Sequence, residues 1–185
     1  MMIFWIIWIT WCVSEIFLNR FMRSGADDKK DQDKGSIWFI WMMIVLAISS
    51  AILLDIYTRF PVGNGWLIPC IGLGTIIAGM ILRFVSILTL GRLFTVDVTI
   101  RANHIIKKNG VYRVIRHPSY AGSLLSFIGF GLSLNNWFGL ITVTILITIA
   151  LIHRINMEEK LLIEQFGSDY LDYKKNTCRL IPWIY

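Results

Sequence analysis

The run SIWFIWMMIVLAISSAILLDI, Ser36 to Ile56, decides the fold class. Its only formal charge is Asp55, at the far end. Wound as a helix rising 1.5 Å per residue, it is roughly 31 Å long, about one hydrocarbon thickness. Working outward, Met2 to Leu18 is a second apolar block without a basic leader or a small-residue cleavage site, which predicts a retained span rather than a signal peptide. The stretch between them, Asn19 to Gly35, contains RSGADDKKDQDKG, whose charges nearly cancel, and reads as a solvated loop. Downstream, YTRFPVGNG carries Pro61, Gly63 and Gly65 and reads as a turn. Trp66 to Leu90 is a third apolar block, rich in Gly72, Gly74, Ala78 and Gly79, small residues that let helix backbones approach closely in lipid. Ser119 to Ile152 is apolar apart from Asn135-Asn136, which predicts two short spans, Tyr120–Leu134 and Trp137–Ile152, each near the lower limit for crossing a bilayer. His153 to Tyr185 reads as a mixed, amphipathic tail.

The composition of the 185 residues agrees with these blocks. Hydrophobic residues make up 56% and charged residues 16%, against roughly 25% charged in soluble domains. Mean hydropathy is +0.63. A disordered chain, a disulfide scaffold and an ordinary soluble domain are excluded. Eight Trp, six Tyr and eleven Phe suit two aromatic belts. The three cysteines, Cys12, Cys70 and Cys178, have no ligand-like spacing and predict neither disulfide nor metal site. The expected fold is an all-α integral membrane protein of about five transmembrane helices. Residues 1–90 form a three-span region and 91–185 a region carrying the chemistry.

The net charge of +6 is topological rather than a nucleic-acid signal. Of 18 Lys and Arg, 16 fall in the loop after the first span, the loop after the third, and the tail. Five spans with the N-terminus outside and the C-terminus cytoplasmic satisfy the positive-inside rule. The same arrangement brings two intramembrane charges, Glu15 and Arg83, to similar depth and predicts a contact between them. No internal repeat is visible, which weighs against an inverted-repeat transporter.

The stretch Gly91 to Pro118 is polar and basic. FTVDVTI alternates in the strand period, and Asn109-Gly110 between HIIKK and VYRVI is a hairpin turn signal, so a small hairpin or a surface-lying loop is expected. His117-Pro118 opens a helix, because proline fits the first helical position. A helix N-terminus on this side is a site for an anionic group. Tyr112 and Tyr120 offer ring faces and hydroxyls beside it. Arg154 and Glu158, four residues apart, share one helix face. Arg154 can hold a carboxylate through two parallel hydrogen bonds, and Glu158-Glu159 put negative charge beside it, suited to ribose hydroxyls, an ammonium or a sulfonium.

GVYRVIRHPSYAG, with RINMEEKLLIEQFGSDYLDY after it, resembles the isoprenylcysteine carboxyl methyltransferases and the related phospholipid methyltransferases. The likeness runs over roughly Leu90 to Pro182. It implies an α-helical membrane enzyme using S-adenosyl-L-methionine, with the cofactor pocket formed by the cytoplasmic loop and the C-terminal segment. In that likeness His104, Ile105, Ile106 and Lys107 pass the cofactor, and Tyr112 contacts it. His117, Pro118, Ser119 and Tyr120 line the same pocket, Glu158 is the cofactor-binding acid, and Arg154 is the substrate-side arginine. Asp97 stands where eukaryotic members carry an amide. The implied acceptor is a lipidic or prenylated carboxylate brought through membrane lipids. No nucleic acid and no obligate protein partner are expected, and size and the absence of targeting signals suggest a prokaryotic plasma membrane. Two other readings remain open: a phospholipid amine N-methyltransferase, with Glu159 or His117 as base, and a non-catalytic lipid-binding protein. A sterol-reductase-like NADPH enzyme is disfavoured for want of a reductase motif.

Overall fold

The computed structural model describes residues 2–21, 35–94 and 105–181. Its α-helices are, in chain order, α1 Met2–Phe21, α2 Ser36–Tyr57, α3 Leu67–Leu90, α4 Pro118–Ser133, α5 Trp137–Phe166 and α6 Ser168–Lys175. Short 3-10 turns cover Gly91–Leu93 and Gly110–Arg113. No strand forms among the described residues. The molecule is an all-α integral membrane protein. Helices α2, α3 and α5 are each long and apolar enough to cross a bilayer, whereas the apolar part of α1 ends at Leu18 and α4 has only 16 residues. The five expected spans thus correspond to five apolar helices, of which three meet the length for crossing alone.

Helices α3 and α4 pack backbone to backbone. A Cβ on Gly79 would lie 2.6 Å from the Gly122 carbonyl oxygen, and one on Gly122 would lie 2.7 Å from that of Gly79. Gly72 and Gly129 repeat the arrangement one step further along, with 2.7 Å in both directions. The small residues of the third block therefore serve close helix approach. Gly74 does not take part; nothing lies within 4 Å of its missing Cβ.

Asn135 and Asn136 fasten the end of the bundle where α4 turns into α5. Asn136 accepts from the backbone N–H groups of Phe138 (3.0 Å) and Gly139 (3.3 Å), capping α5, and donates to the Thr58 carbonyl (2.7 Å). Asn135, in the left-handed region at φ 54°, donates to Gly63 O and accepts from Gly63 N. The shared core of Trp11, Ala47, Ala51, Ile76, Phe127, Val143, Ile147 and Ile155 joins all five apolar helices. Outward-facing Trp38, Leu88 and Met2 are left to lipid.

Two expectations are corrected. The fifth helix does not stop at Ile152: it continues to Phe166, since residues 153–166 hold strong helix formers and no breaker before Gly167 (φ 54°). The first part of the expected tail is therefore roughly four more turns of α5, with α6 after it. Around Asn109-Gly110 no hairpin forms among the described residues. Gly110–Arg113 is a 3-10 turn, and Ile115 instead makes an isolated parallel bridge to Cys178. Non-local pairing outcompetes the local turn signal. Most of FTVDVTI, Asp97 and His104 lie outside the described residues.

Candidate active site

The loop before α4 and the segment after α5 close on each other. Arg116 N–H donates to Cys178 O (2.9 Å), Cys178 N–H to Val114 O (2.9 Å), and His117 N–H to Arg179 O (3.2 Å). The Tyr173 hydroxyl donates to Tyr112 O (2.6 Å). Pro118 sits at the first turn of α4 as expected, and His117 O accepts from Ala121 N–H.

Beneath this closure lies a cavity of about 480 Å³, within the range of small-molecule sites. Ile105, Ile106, Lys107, Tyr112, His117, Ser119, Tyr120, Arg154 and Glu158 all line it. Every site residue expected from the sequence is thus gathered there except two: Pro118, which is buried beside it as the helix start, and His104, which lies outside the described residues. His117 and Arg154 share one hollow although they sit on different elements.

Arg154 is 2% exposed and donates to the Ser36 hydroxyl at the start of α2. Tyr120 lines the same cavity as Arg154 and Glu158. The His117 ring stacks on Tyr120 at 5.8 Å, with Nδ1 3.8 Å from Glu158 Oε2 and Nε2 3.3 Å from Glu159 Oε1.

Glu158 and Glu159, adjacent in sequence, have different surroundings. Glu158 faces the cavity with its side chain 35% exposed. Glu159 turns away from the cavity into a cluster of cations: Arg116 (3.0 Å), Lys174 (3.1 Å) and Arg179 (3.4 Å), besides His117. Arg116 also donates to the Lys174 carbonyl (3.0 Å) and to Thr177 O. One buried carboxylate therefore ties α5, the α4 start and the segment after α5 together.

Tyr170 and Tyr173, three residues apart on α6, line the cavity as well. Amphipathic character alone points this aromatic surface at the bilayer interface; the i, i+3 spacing is the sign in the sequence that it forms one face, here turned inward. Burial, reinforced by Glu158, pushes the Tyr112 phenol well above its usual range, and burial with Glu159 does the same for Tyr170. Both stay neutral and can donate hydrogen bonds at physiological pH.

Glu15 and Arg83 form the expected pair, with Arg83 Nε 2.8 Å from Glu15 Oε1. Both line the cavity, and Arg83 donates to Ser119 Oγ (3.1 Å) and Ser119 O (3.3 Å). The deeper walls are apolar, including Ile44 and Ile48 of α2, Phe127 of α4 and Ile147 of α5. Cys12 and Ile16 of α1, with Val45 and Ser49 of α2, line the cavity and are exposed, so α1 and α2 stand on either side of its accessible part. Arg154 and Tyr120 stand where its polar and apolar parts meet.

The family model of the isoprenylcysteine carboxyl methyltransferase (ICMT) family matches residues 70–164. The chain is 33% identical over 121 residues to protein-S-isoprenylcysteine O-methyltransferase A of Arabidopsis thaliana, covering 64% of this chain and 61% of that protein. It is 32% identical over 145 residues to a probable protein-S-isoprenylcysteine O-methyltransferase of Oryza sativa subsp. indica, covering 76% of each. Among solved structures, the eukaryotic intramembrane Ras methyltransferase ICMT superposes with a TM-score of 0.61 at 27% identity, over 86% of this chain and 55% of that one. The chain thus spans about three-fifths of the Arabidopsis relative and just over half of the solved chain. The family match takes in the glycine-packed α3–α4 pair, the His117–Tyr120 helix start and the Arg154–Glu158 face, and on that ground the chain belongs to the isoprenylcysteine carboxyl methyltransferase family.

Proposed function

We propose that the protein is an S-adenosyl-L-methionine-dependent membrane methyltransferase that methylates the carboxylate of a lipidated acceptor. The observation that carries this reading is the cavity itself, polar and aromatic at one end, apolar at the other, with Arg154 at the junction. The residues suit the cofactor. Tyr112, Tyr170 and Tyr173 offer faces for an adenine, Glu158 offers a carboxylate to ribose hydroxyls or a positive centre, and the α4 start can receive a carboxylate. When bound, S-adenosyl-L-methionine supplies an electrophilic methyl group on a sulfonium.

The side chains do the rest by placement and electrostatics. Arg154, held by Ser36, orients the acceptor carboxylate with two parallel donors. Tyr120, stacked on His117, walls the space between Arg154 and Glu158. Tyr170, Tyr173 and the loop they cover exclude water, which favours a step in which opposite charges are neutralised. A carboxylate is ionised at neutral pH, so the site needs no general base. The basic loops favour a cytoplasmic position for the polar end. The division at residue 90 is one of emphasis, because α1, α2 and α3 also wall the cavity.

Methylation of a phospholipid amine would require a base. Glu159 is ill-suited, being paired with three cations and turned from the cavity, and His117 sits between two carboxylates. The deciding experiment supplies labelled S-adenosyl-L-methionine with either a prenyl-cysteine carboxylate or a phospholipid amine. Label in a base-labile ester is expected; label in the amine alone overturns the carboxylate reading. Stabilisation by S-adenosylhomocysteine without turnover on either acceptor favours a non-catalytic lipid-binding protein.

A further inference from the structure

Six serines are buried among the described residues, and five of them have hydrogen-bond partners there. Ser86 donates to Leu82 O (2.6 Å), Ser126 to Gly122 O (3.1 Å) and Ser133 to Phe130 O (2.7 Å). Each turns back on its own helix, the usual resort of a hydroxyl with no water beside it. Ser119 Oγ accepts from Arg83, and Ser36 Oγ from Arg154. Ser123 differs. It is 6% exposed, lines the cavity, and makes no hydrogen bond with the described residues. The carbonyl one turn back, Ser119 O, accepts from Arg83 Nη1 (3.3 Å) instead. Nor is the Ser123 oxygen sealed in the wall, as the unpartnered Trp11 Nε1 is.

Ser123 stands at the border between the two parts of the cavity. Tyr120, three residues before it, stacks on His117 at the polar end, and Phe127, four residues after it, belongs to the apolar wall. The step from Tyr120 to Ser123 is about 4.5 Å along α4, the contour of about three covalent bonds of roughly 1.5 Å. A hydroxyl buried at this level costs free energy until a ligand supplies its partner. A ligand held by its carboxylate at Arg154 brings to this level the atoms that follow the carboxylate. In an acceptor made of a charged head and a hydrocarbon tail, the polar atom that follows is the one joining the two. A sulfur or oxygen in that linkage accepts hydrogen bonds and donates none, so the serine is the donor.

We propose that Ser123 is a specificity-determining residue whose hydroxyl donates to the heteroatom linking the acceptor's tail to its carboxylate-bearing head, a thioether sulfur or an ether or ester oxygen. This rests on the methyltransferase reading and adds which atom of the acceptor is read. An all-carbon acceptor of the same shape leaves the hydroxyl unpaired inside the occupied cavity, and the site discriminates against it on that ground.

The test uses three prenylated amino-acid carboxylates that differ in one atom, with sulfur, oxygen or a methylene group at the linkage. The full chain is expected to turn over the sulfur or the oxygen compound with a kcat/KM about two- to tenfold above the methylene compound, the range of one neutral hydrogen bond. In Ser123→Ala that ratio is expected to collapse to about one, because alanine has no hydroxyl to leave unpaired. The ratio is internal to each protein, so a general loss of activity does not move it, and thermal stabilisation by S-adenosylhomocysteine reports that the variant is folded. Whichever heteroatom loses its advantage in Ser123→Ala is the linkage the hydroxyl reads. No preference over methylene in the unaltered chain, or a preference that survives Ser123→Ala, overturns the assignment of Ser123 and leaves the methyltransferase reading standing. Failure to methylate any of the three compounds, despite stabilisation by S-adenosylhomocysteine, overturns that reading and this assignment with it.

Discussion

Arg116 Nε lies 3.0 Å from Glu159 Oε1, and its Nη1 reaches on to the Lys174 carbonyl, so one guanidinium joins α5 to the segment beyond it. Both side chains are almost fully buried. With Lys174, Arg179 and His117 on the same carboxylate, this cluster closes the polar end of the cavity.

Removing the acid strands several cations at once. Breaking a buried pair from one side costs about 3–5 kcal/mol. Glu159→Gln is expected to release the segment after Gly167 rather than unfold the bundle. Hydrogen exchange at Tyr170–Tyr173 should accelerate by orders of magnitude, with α3 and α4 amides unchanged, and stabilisation by S-adenosylhomocysteine should fall.

Arg154 and Glu158, one turn apart, should fail differently. Loss of a preorganised charged donor costs about 10²–10³ in turnover. Arg154→Ala is expected to lose at least that in kcat/KM for the acceptor while keeping S-adenosylhomocysteine binding. Glu158→Ala should weaken S-adenosylhomocysteine binding. Titration calorimetry beside single-turnover assays separates the two, and normal turnover in both variants removes these roles.

The Glu15–Arg83 pair sits in apolar surroundings, where an uncompensated charge is expensive. Arg83→Met alone is expected to destabilise the bundle by about 3–5 kcal/mol. The double variant Glu15→Gln with Arg83→Met should recover much of that loss. A double-mutant cycle in detergent measures the coupling; additive losses would show that the two charges act independently.

Alkali should open the site before the bundle. Burial pushes the Tyr173 phenol up to about 12, above the ordinary value of about 10. Because the folded value is raised, its stabilising contribution is complete below about pH 10 and is lost as pH rises towards 12. The phenolate can no longer donate to Tyr112 O. Protease nicking after Gly167 should therefore rise across that window alongside tyrosinate absorbance, and Tyr173→Phe should shift the nicking profile.

Much of this architecture is legible in the chain because bilayer physics is one-dimensional. Apolar run length sets the helices, and two intramembrane charges of opposite sign at one depth find each other, as Glu15 and Arg83 do. That His117 and Tyr120 sit at a helix start and that Arg154 and Glu158 share a face is legible from Pro118 and the i, i+4 spacing, and all four line one cavity. The hidden part depends on contacts between distant segments. Nothing local distinguishes Glu159 from Glu158; only the return of Lys174 and Arg179 does. Asn109-Gly110 announces a hairpin, yet Cys178 claims the backbone of Val114 and Arg116. Hydropathy misplaces the end of α5 because Arg154 ends the apolar run without ending the helix.

The bridge between Ile115 and Cys178 also sets an order of events. The wall that precedes α4 emerges from the ribosome long before the residues that complete it. Throughout synthesis of α4 and α5 the membrane bundle can assemble, but the polar end of the cavity has no roof. A nascent chain stalled between the end of α5 and residue 178 would therefore be inserted and packed with this end of the cavity still open.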